Sequence, residues 1–269
     1  MKRLWPNLPA YLQIAGLWPQ MAFTYRVNLA FEVFSILLQI YLLKVIWTAV
    51  YAGRGVADGV ELRELIAFMT LAQLQIWLMF PLIADYIQER VHDGKIALDL
   101  ARPVPFLGQL LAHQLGSTAS YLPFVLLAAP FAFVLGGFVP PASWSAGLLY
   151  LLSLGLGYLV AVLIGMLLGL VSFWTIQTWG VIDIYHYTNQ FFTGALVPLW
   201  FFPAWLRQVA ELLPFQAQAF IPLSIYLGQV PARDIPAALG LQVAWVAVLC
   251  ALVWVVWQRA MRRVVIQGG

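Results

Sequence analysis

From Pro103 to Ile182 the chain runs for eighty residues without one Asp, Glu, Lys or Arg. No soluble fold of ordinary size hides so long an uncharged stretch, whereas a bilayer core is crossed by about 20 apolar residues in helical form. The run is therefore long enough to cross a membrane more than once, and only turn chemistry can divide it. The stretch "GGFVPPASW", Gly136 to Trp144, supplies the break, because paired glycines and two prolines do not continue a helix. One span is thus expected near 117–135 and another near 144–171.

The same criterion places spans near 29–50, 65–84, 183–200 and 235–258. The whole chain is 63% hydrophobic with a mean hydropathy of +0.87, so it reads as one transmembrane domain over residues 1–269. The predicted fold is an all-α integral membrane protein with six transmembrane helices, since none of the spans alternates with the period of two that a barrel requires. A net charge of +3 leaves no extended basic surface, and so no nucleic-acid partner. The single Cys250 forms no internal disulfide. His92, His113 and His186 have no ligand partner at helical spacing and no Gly-x-Ser-x-Gly occurs, so neither a metal site nor a catalytic site is expected.

Lys and Arg set the orientation. With both termini in the cytoplasm, nine basic residues lie inside (Lys2, Arg3, Arg26, Arg90, Lys95, Arg102, Arg259, Arg262, Arg263) and four outside (Arg54, Arg63, Arg207, Arg233). Residues 8–24 read as an interfacial helix with Tyr11, Leu12, Leu17 and Trp18 available to the membrane, and not as a cleaved signal. Trp47, Trp144, Trp200 and Trp257 fall at span ends, as an aromatic belt requires.

Against this background "ERVHDGKIALDLARPVPFLGQ", Glu89 to Gln109, is a dense cytoplasmic run of charge between the second and third spans. On one continuous helix, Ile87, Val91, Gly94 and Leu98 form an apolar stripe, and His92, Lys95, Asp99 and Arg102 a polar one. Such a helix suits docking into a groove on a soluble partner, although a solvated loop on lipid headgroups would show the same pattern. Gly94-Lys95 is no phosphate-binding loop: Ile96 stands where magnesium needs Ser or Thr, and Glu89 where the first glycine belongs. No cofactor is expected on this chain.

Charges inside spans are costly unless paired or wet. Glu32, close to the inner interface, could bond Arg26; Lys44 could snorkel outward or serve transport; Asp183 reads as the cap of the fifth span. After that span, residues 191–228 are cut by Pro198, Pro203, Pro214 and Pro222 into pieces too short to cross. They read as short re-entrant helices over 201–228, whose backbone needs cover, which argues for a dimer.

In this order, "HDGKIALDLARPVPF", "SFWTIQTWGVIDIYHYTNQFFTGALVPLWFFPAWL" and "LLPFQAQAFIPLSIYLG" resemble the membrane subunits, or permeases, of bacterial type 2 ABC transporters. The resemblance covers nearly the whole chain. It implies a coupling helix over 87–102, with Glu89, Arg90, Val91, His92, Asp93, Lys95, Ile96, Leu98, Asp99 and Arg102 forming the ATPase-coupling interface. It further implies two copies of a separate ATP-binding subunit holding ATP and magnesium, a second permease, identical or paralogous, and a place in the bacterial cytoplasmic membrane among its lipids. The implied activity is ATP-driven export, and the aromatics Phe173, Trp174, Trp179, Tyr185, Tyr187 and Phe191 suit a small hydrophobic or cationic substrate. Glu32, Lys44 and Asp183 are the intramembrane polar candidates for its pathway. An ion-coupled secondary transporter and a non-transporting membrane scaffold are the alternatives.

Overall fold

The computed structural model describes residues 8–24, 26–51, 56–57, 59–79, 82–137, 139–175 and 179–267, without the side chains of 17–29, 56–57, 179 and 264–267. Helices α1 (Leu8–Thr24) and α2 (Arg26–Tyr51) lead to a two-residue strand pair, β1 (Val56–Ala57) and β2 (Val60–Glu61). Then follow α3 (Leu62–Met79), α4 (Ile83–His92), α5 (Ile96–Ala101), α6 (Phe106–Gly136), α7 (Trp144–Leu170), α8 (Trp179–Phe192), α9 (Ala204–Leu212), α10 (Phe220–Tyr226) and α11 (Ile235–Gln267).

The helices are apolar on both sides. In α2, Ile36, Ile40, Leu43, Trp47 and Tyr51 recur every three or four residues and are buried, while Phe31, Phe34, Leu38, Leu42, Ile46 and Val50 are exposed. A helix that is hydrophobic all round belongs in hydrocarbon, so the outer stripe is a lipid face. Among the described residues five segments are long and apolar enough to cross a membrane: Ala30–Tyr51, Leu62–His92, Phe106–Gly136, Trp144–Phe173 and Ile235–Arg263. The protein is thus an all-α, multi-pass membrane protein.

Two departures from the sequence reading concern these segments. Helix α6 begins at Phe106, well before the expected 117, because nothing in 106–116 breaks a helix. It also runs through Pro123 and Pro130, as transmembrane helices permit. The expected span 183–200 is not one long helix: α8 has 14 residues, and a turn of 3-10 helix, Leu199–Phe201, follows after Pro198.

The course of the chain between α7 and α11 follows from contacts. Ser153 and Gln242, near the two helix starts, are bonded at 2.9 Å, and Phe173 meets Trp257 and Arg263 near the ends. Helices α7 and α11 therefore lie side by side in the same direction, so residues 174–234 return from one end of the bundle to the other. Ala195 reaches mid-depth, where Gln73 donates to its carbonyl. Phe201 meets Trp47 near the far end of α2. After α9, a 3-10 turn at Pro214–Ala217 drops back to the middle of α7, and α10 climbs to the far end again, where the Tyr226 hydroxyl donates to the Val139 carbonyl. Pro203 and Pro214 open elements here, but Pro222 sits in the first turn of α10 without breaking it, a position proline tolerates.

Helix α1 crosses the first half of α6. A Cβ at Gly116 would strike the Ala15 backbone, and one at Gly108 the Tyr11 ring. Gly116→Leu is expected to lift α1 off α6 at an overpacking cost of about 1–3 kcal/mol, read as a lower melting temperature in detergent and faster proteolysis within 8–24.

Of the four tryptophans assigned to an aromatic belt, only Trp144 is largely exposed. Trp47 packs on Phe201, Trp200 on Phe68, and Trp257 on Phe106. These rings also tie neighbouring elements together. The Leu17 and Trp18 side chains lie outside the described residues.

Candidate functional site

The charged segment after α3 is not the single helix expected over 87–102. It breaks at Asp93-Gly94-Lys95, where Gly94 has φ +69°, a left-handed conformation that glycine adopts without strain. The two stripes drawn across that break therefore do not exist. Instead α4 and α5 fold into a compact hook. Ile83, Ala84 and Ile87 are buried, and a Cβ at Gly169 would collide with Ile87 and Ala84, which shows how closely α4 lies on the end of α7.

One carboxylate organises the hook. Asp99, with a side chain 1% exposed, receives Arg90 Nε on Oδ2 at 2.6 Å and Arg90 Nη2 on Oδ1 at 2.7 Å, a bidentate pair. Arg102 Nη2 stands 3.6 Å from Oδ1. Gln109, in the first turn of α6, donates to the Asp99 and Val104 carbonyls, both at 2.9 Å, and so fastens α5 and the following loop to α6. Arg90 also lies over the Tyr86 ring, and Tyr86 stacks on His113 of α6 at 3.8 Å. Phe106 stacks on Trp257 of α11 at 4.9 Å. The hook is thereby joined to α6 and α7, and α6 in turn to α11.

At the tip Lys95 Nζ donates to Asp93 Oδ2 at 2.6 Å. That bond holds the Asp93 carboxyl below, and the Lys95 ammonium above, their ordinary values. Glu89, His92, Asp93, Lys95 and Leu98 are exposed, Leu98 by 67%, although it is a large apolar residue. Ile96 and Asp99 are buried, while Arg90 and Val91 are half-buried. Asp99, expected on a charged outer face, is thus internal, and Leu98 is the free apolar group. Arg102 is exposed but lines a groove against α1.

The intramembrane candidates lie apart. Lys44 Nζ donates to the Leu135 carbonyl at 2.5 Å, one of the carbonyls left open at the end of α6. Glu32 is half-buried with one carboxylate oxygen out of contact with solvent; the Arg26 side chain proposed for it lies outside the described residues. Asp183 is exposed and falls inside α8, which begins four residues earlier, so it does not cap that helix. Of the aromatics read as pathway lining, Phe173 and Tyr185 are buried, Tyr187 is exposed, and the Trp179 side chain is not among those described.

The sequence pattern of ABC-2 family transporter proteins matches residues 36–268. The chain belongs to the ABC-2 transporter family. Comparison with curated proteins returns no match. The chain is accordingly the membrane subunit of a transporter, a permease and not itself an ATPase, of a family that works with an ATP-binding subunit.

A second polar cluster in this permease was missed by reading charges alone. Gln75 Nε2 donates to the Gln218 carbonyl at 2.5 Å. Gln242 Nε2 donates to the carbonyls of Ala217, at 2.8 Å, and Ser153, while its Oε1 accepts from the Ser153 hydroxyl. Gln73 holds Ala195. A glutamine amide both donates and accepts, so these side chains satisfy backbone that the turns between α8 and α11 leave bare. Part of the cover for this backbone therefore comes from the same chain. The signal was present as uncharged amides in apolar context: "LAQLQIW", "PFQAQAF" and "GLQVAW".

Proposed function

We propose that this permease is the transmembrane half of an ATP-driven exporter. Two permeases, identical or paralogous, form the pathway, and two separate ATP-binding subunits, which hold ATP and magnesium, dock on the α4–α5 hooks. In this reading the chain crosses the membrane six times. Five crossings are the long apolar segments, and the sixth is α8 continued by residues 193–201. The hook end faces the bacterial cytoplasm, as do both termini.

The observation that carries the proposal is mechanical: an exposed tip is locked through Asp99, Arg90 and Gln109 to helices that enter the membrane. A soluble subunit that moves the tip moves α4 and α6 with it, without first taking up slack. Leu98 offers the apolar anchor, with Glu89, His92 and Lys95 around it to set register. The exposed Tyr187 and the half-buried Phe191, both of α8, suit a hydrophobic or cationic substrate.

The test is co-purification from native membranes in mild detergent. Wild type is expected to carry a near-stoichiometric ATP-binding subunit. Leu98→Asp combined with Lys95→Glu is expected to weaken its retention by about tenfold or more, as loss of a hot-spot side chain does, with an unchanged melting temperature. Retention of the subunit by the double variant removes the hook from this role, and ATP-independent, ion-gradient-driven uptake in liposomes removes the exporter reading.

A further inference from the structure

A groove of about 670 Å³ opens between α1 and the loop after α5. Its walls are apolar, from Ala10, Ile14 and Gly16 on one side and Pro103 and Val104 on the other, with Gln13 and Arg102 as the polar groups. We propose that this groove binds the headgroup region of one anionic phospholipid, with its phosphodiester on Arg102 and the start of an acyl chain along α1.

Charge accounting points to an anion. Two guanidiniums share one carboxylate, and Arg90 takes both of its oxygens at 2.6 and 2.7 Å. Arg102 is left with a 3.6 Å approach to Asp99 and a 3.5 Å contact to Gln109, and its side chain is 48% exposed. Arg102 is thus the more loosely held of the two guanidiniums, and it is the one that faces the groove. A planar guanidinium matches a phosphate oxygen pair. The chemistry selects a lipid over free phosphate: the walls beside Arg102 are apolar and have no use for an inorganic ion, and the exposed Leu8 and Leu12 suit α1 to a bilayer surface. A lipid seated there bridges α1 to the hook through Arg102, and makes the hook's footing responsive to membrane composition.

Native mass spectrometry of the permease purified in detergent tests the site, with phosphatidylglycerol and phosphatidylcholine of matched chains. One phosphatidylglycerol is expected to be retained several-fold more tightly than phosphatidylcholine and to survive excess inorganic phosphate. Arg102→Gln is expected to weaken that adduct about tenfold, as loss of a charge-assisted pair does. Ala10→Trp, which fills the groove and leaves the charge in place, is expected to do the same, and Arg233→Gln, a charge removed at the other end of the bundle, to do nothing. If Arg102→Gln fails to fold, Ala10→Trp decides alone. Undiminished binding in the groove variants, equal retention of the two lipids, or displacement by inorganic phosphate overturns the assignment.

Discussion

Asp99→Ala is expected to undo the hook and abolish retention of an ATP-binding subunit while the transmembrane helices stay folded. Removing one partner of a buried ion pair costs about 3–5 kcal/mol; the low end applies, because the Arg90 side chain keeps 19% of its surface in solvent. That loss exceeds anything the two-turn α5 can make up by itself, since a six-residue helix is marginal in water without tertiary support. Faster amide exchange across 93–105, with protection in α6 and α7 unchanged, is the direct readout. Asp99→Asn keeps the shape and one acceptor, so its effect is expected to be smaller. The outcome separates Asp99 from Lys95: a tip substitution alters docking of a folded hook, whereas Asp99 decides whether there is a hook to dock on.

Gln242→Leu is expected to loosen the turn at Pro214–Ala217. Leucine fits the volume, but the Ala217 carbonyl then has no donor and the Ser153 hydroxyl no acceptor from this residue. An unsatisfied buried carbonyl costs about 1–3 kcal/mol, and at mid-depth no water is at hand to reduce it. Adding Gln75→Leu strips the Gln218 carbonyl as well, so the double variant is expected to melt lower still and to expose 213–219 to exchange. Ser153→Ala, which removes a single hydroxyl, is expected to cost only about 1 kcal/mol. Equal melting temperatures for wild type and the double variant would show that the amides do not hold the turn.

What could be read in the sequence was what local chemistry decides. Gly136, Gly137, Pro140 and Pro141 mark where α6 gives way to α7, because no partner is needed to stop a helix there. The hook was misread at Asp93-Gly94-Lys95: helical spacing was carried through a glycine that takes a left-handed turn, and this placed Asp99 outside. Nothing near Asp99 in the chain announces its burial, which arises only when α5 folds back against Arg90, nine residues earlier. The glutamines escaped for a related reason. Hydropathy registers an amide as a mild interruption, and its partners lie 25 to 143 residues away. Lys44 likewise looked isolated, because the carbonyl it meets belongs to Leu135 on another helix.

The side-by-side, same-direction arrangement of α7 and α11 bears on how the molecule is made. Neighbours that run antiparallel can settle as a hairpin while the ribosome is still working, but this pair cannot, since the chain must first return the length of the bundle between α7 and α11. Until α11 arrives, the turn at 214–217 rests on α7 and Gln75 but lacks the amide of Gln242 on the Ala217 carbonyl. A nascent permease that stalls before residue 235 therefore leaves the Ala217 carbonyl and the Ser153 hydroxyl without the Gln242 amide that serves both in the finished bundle.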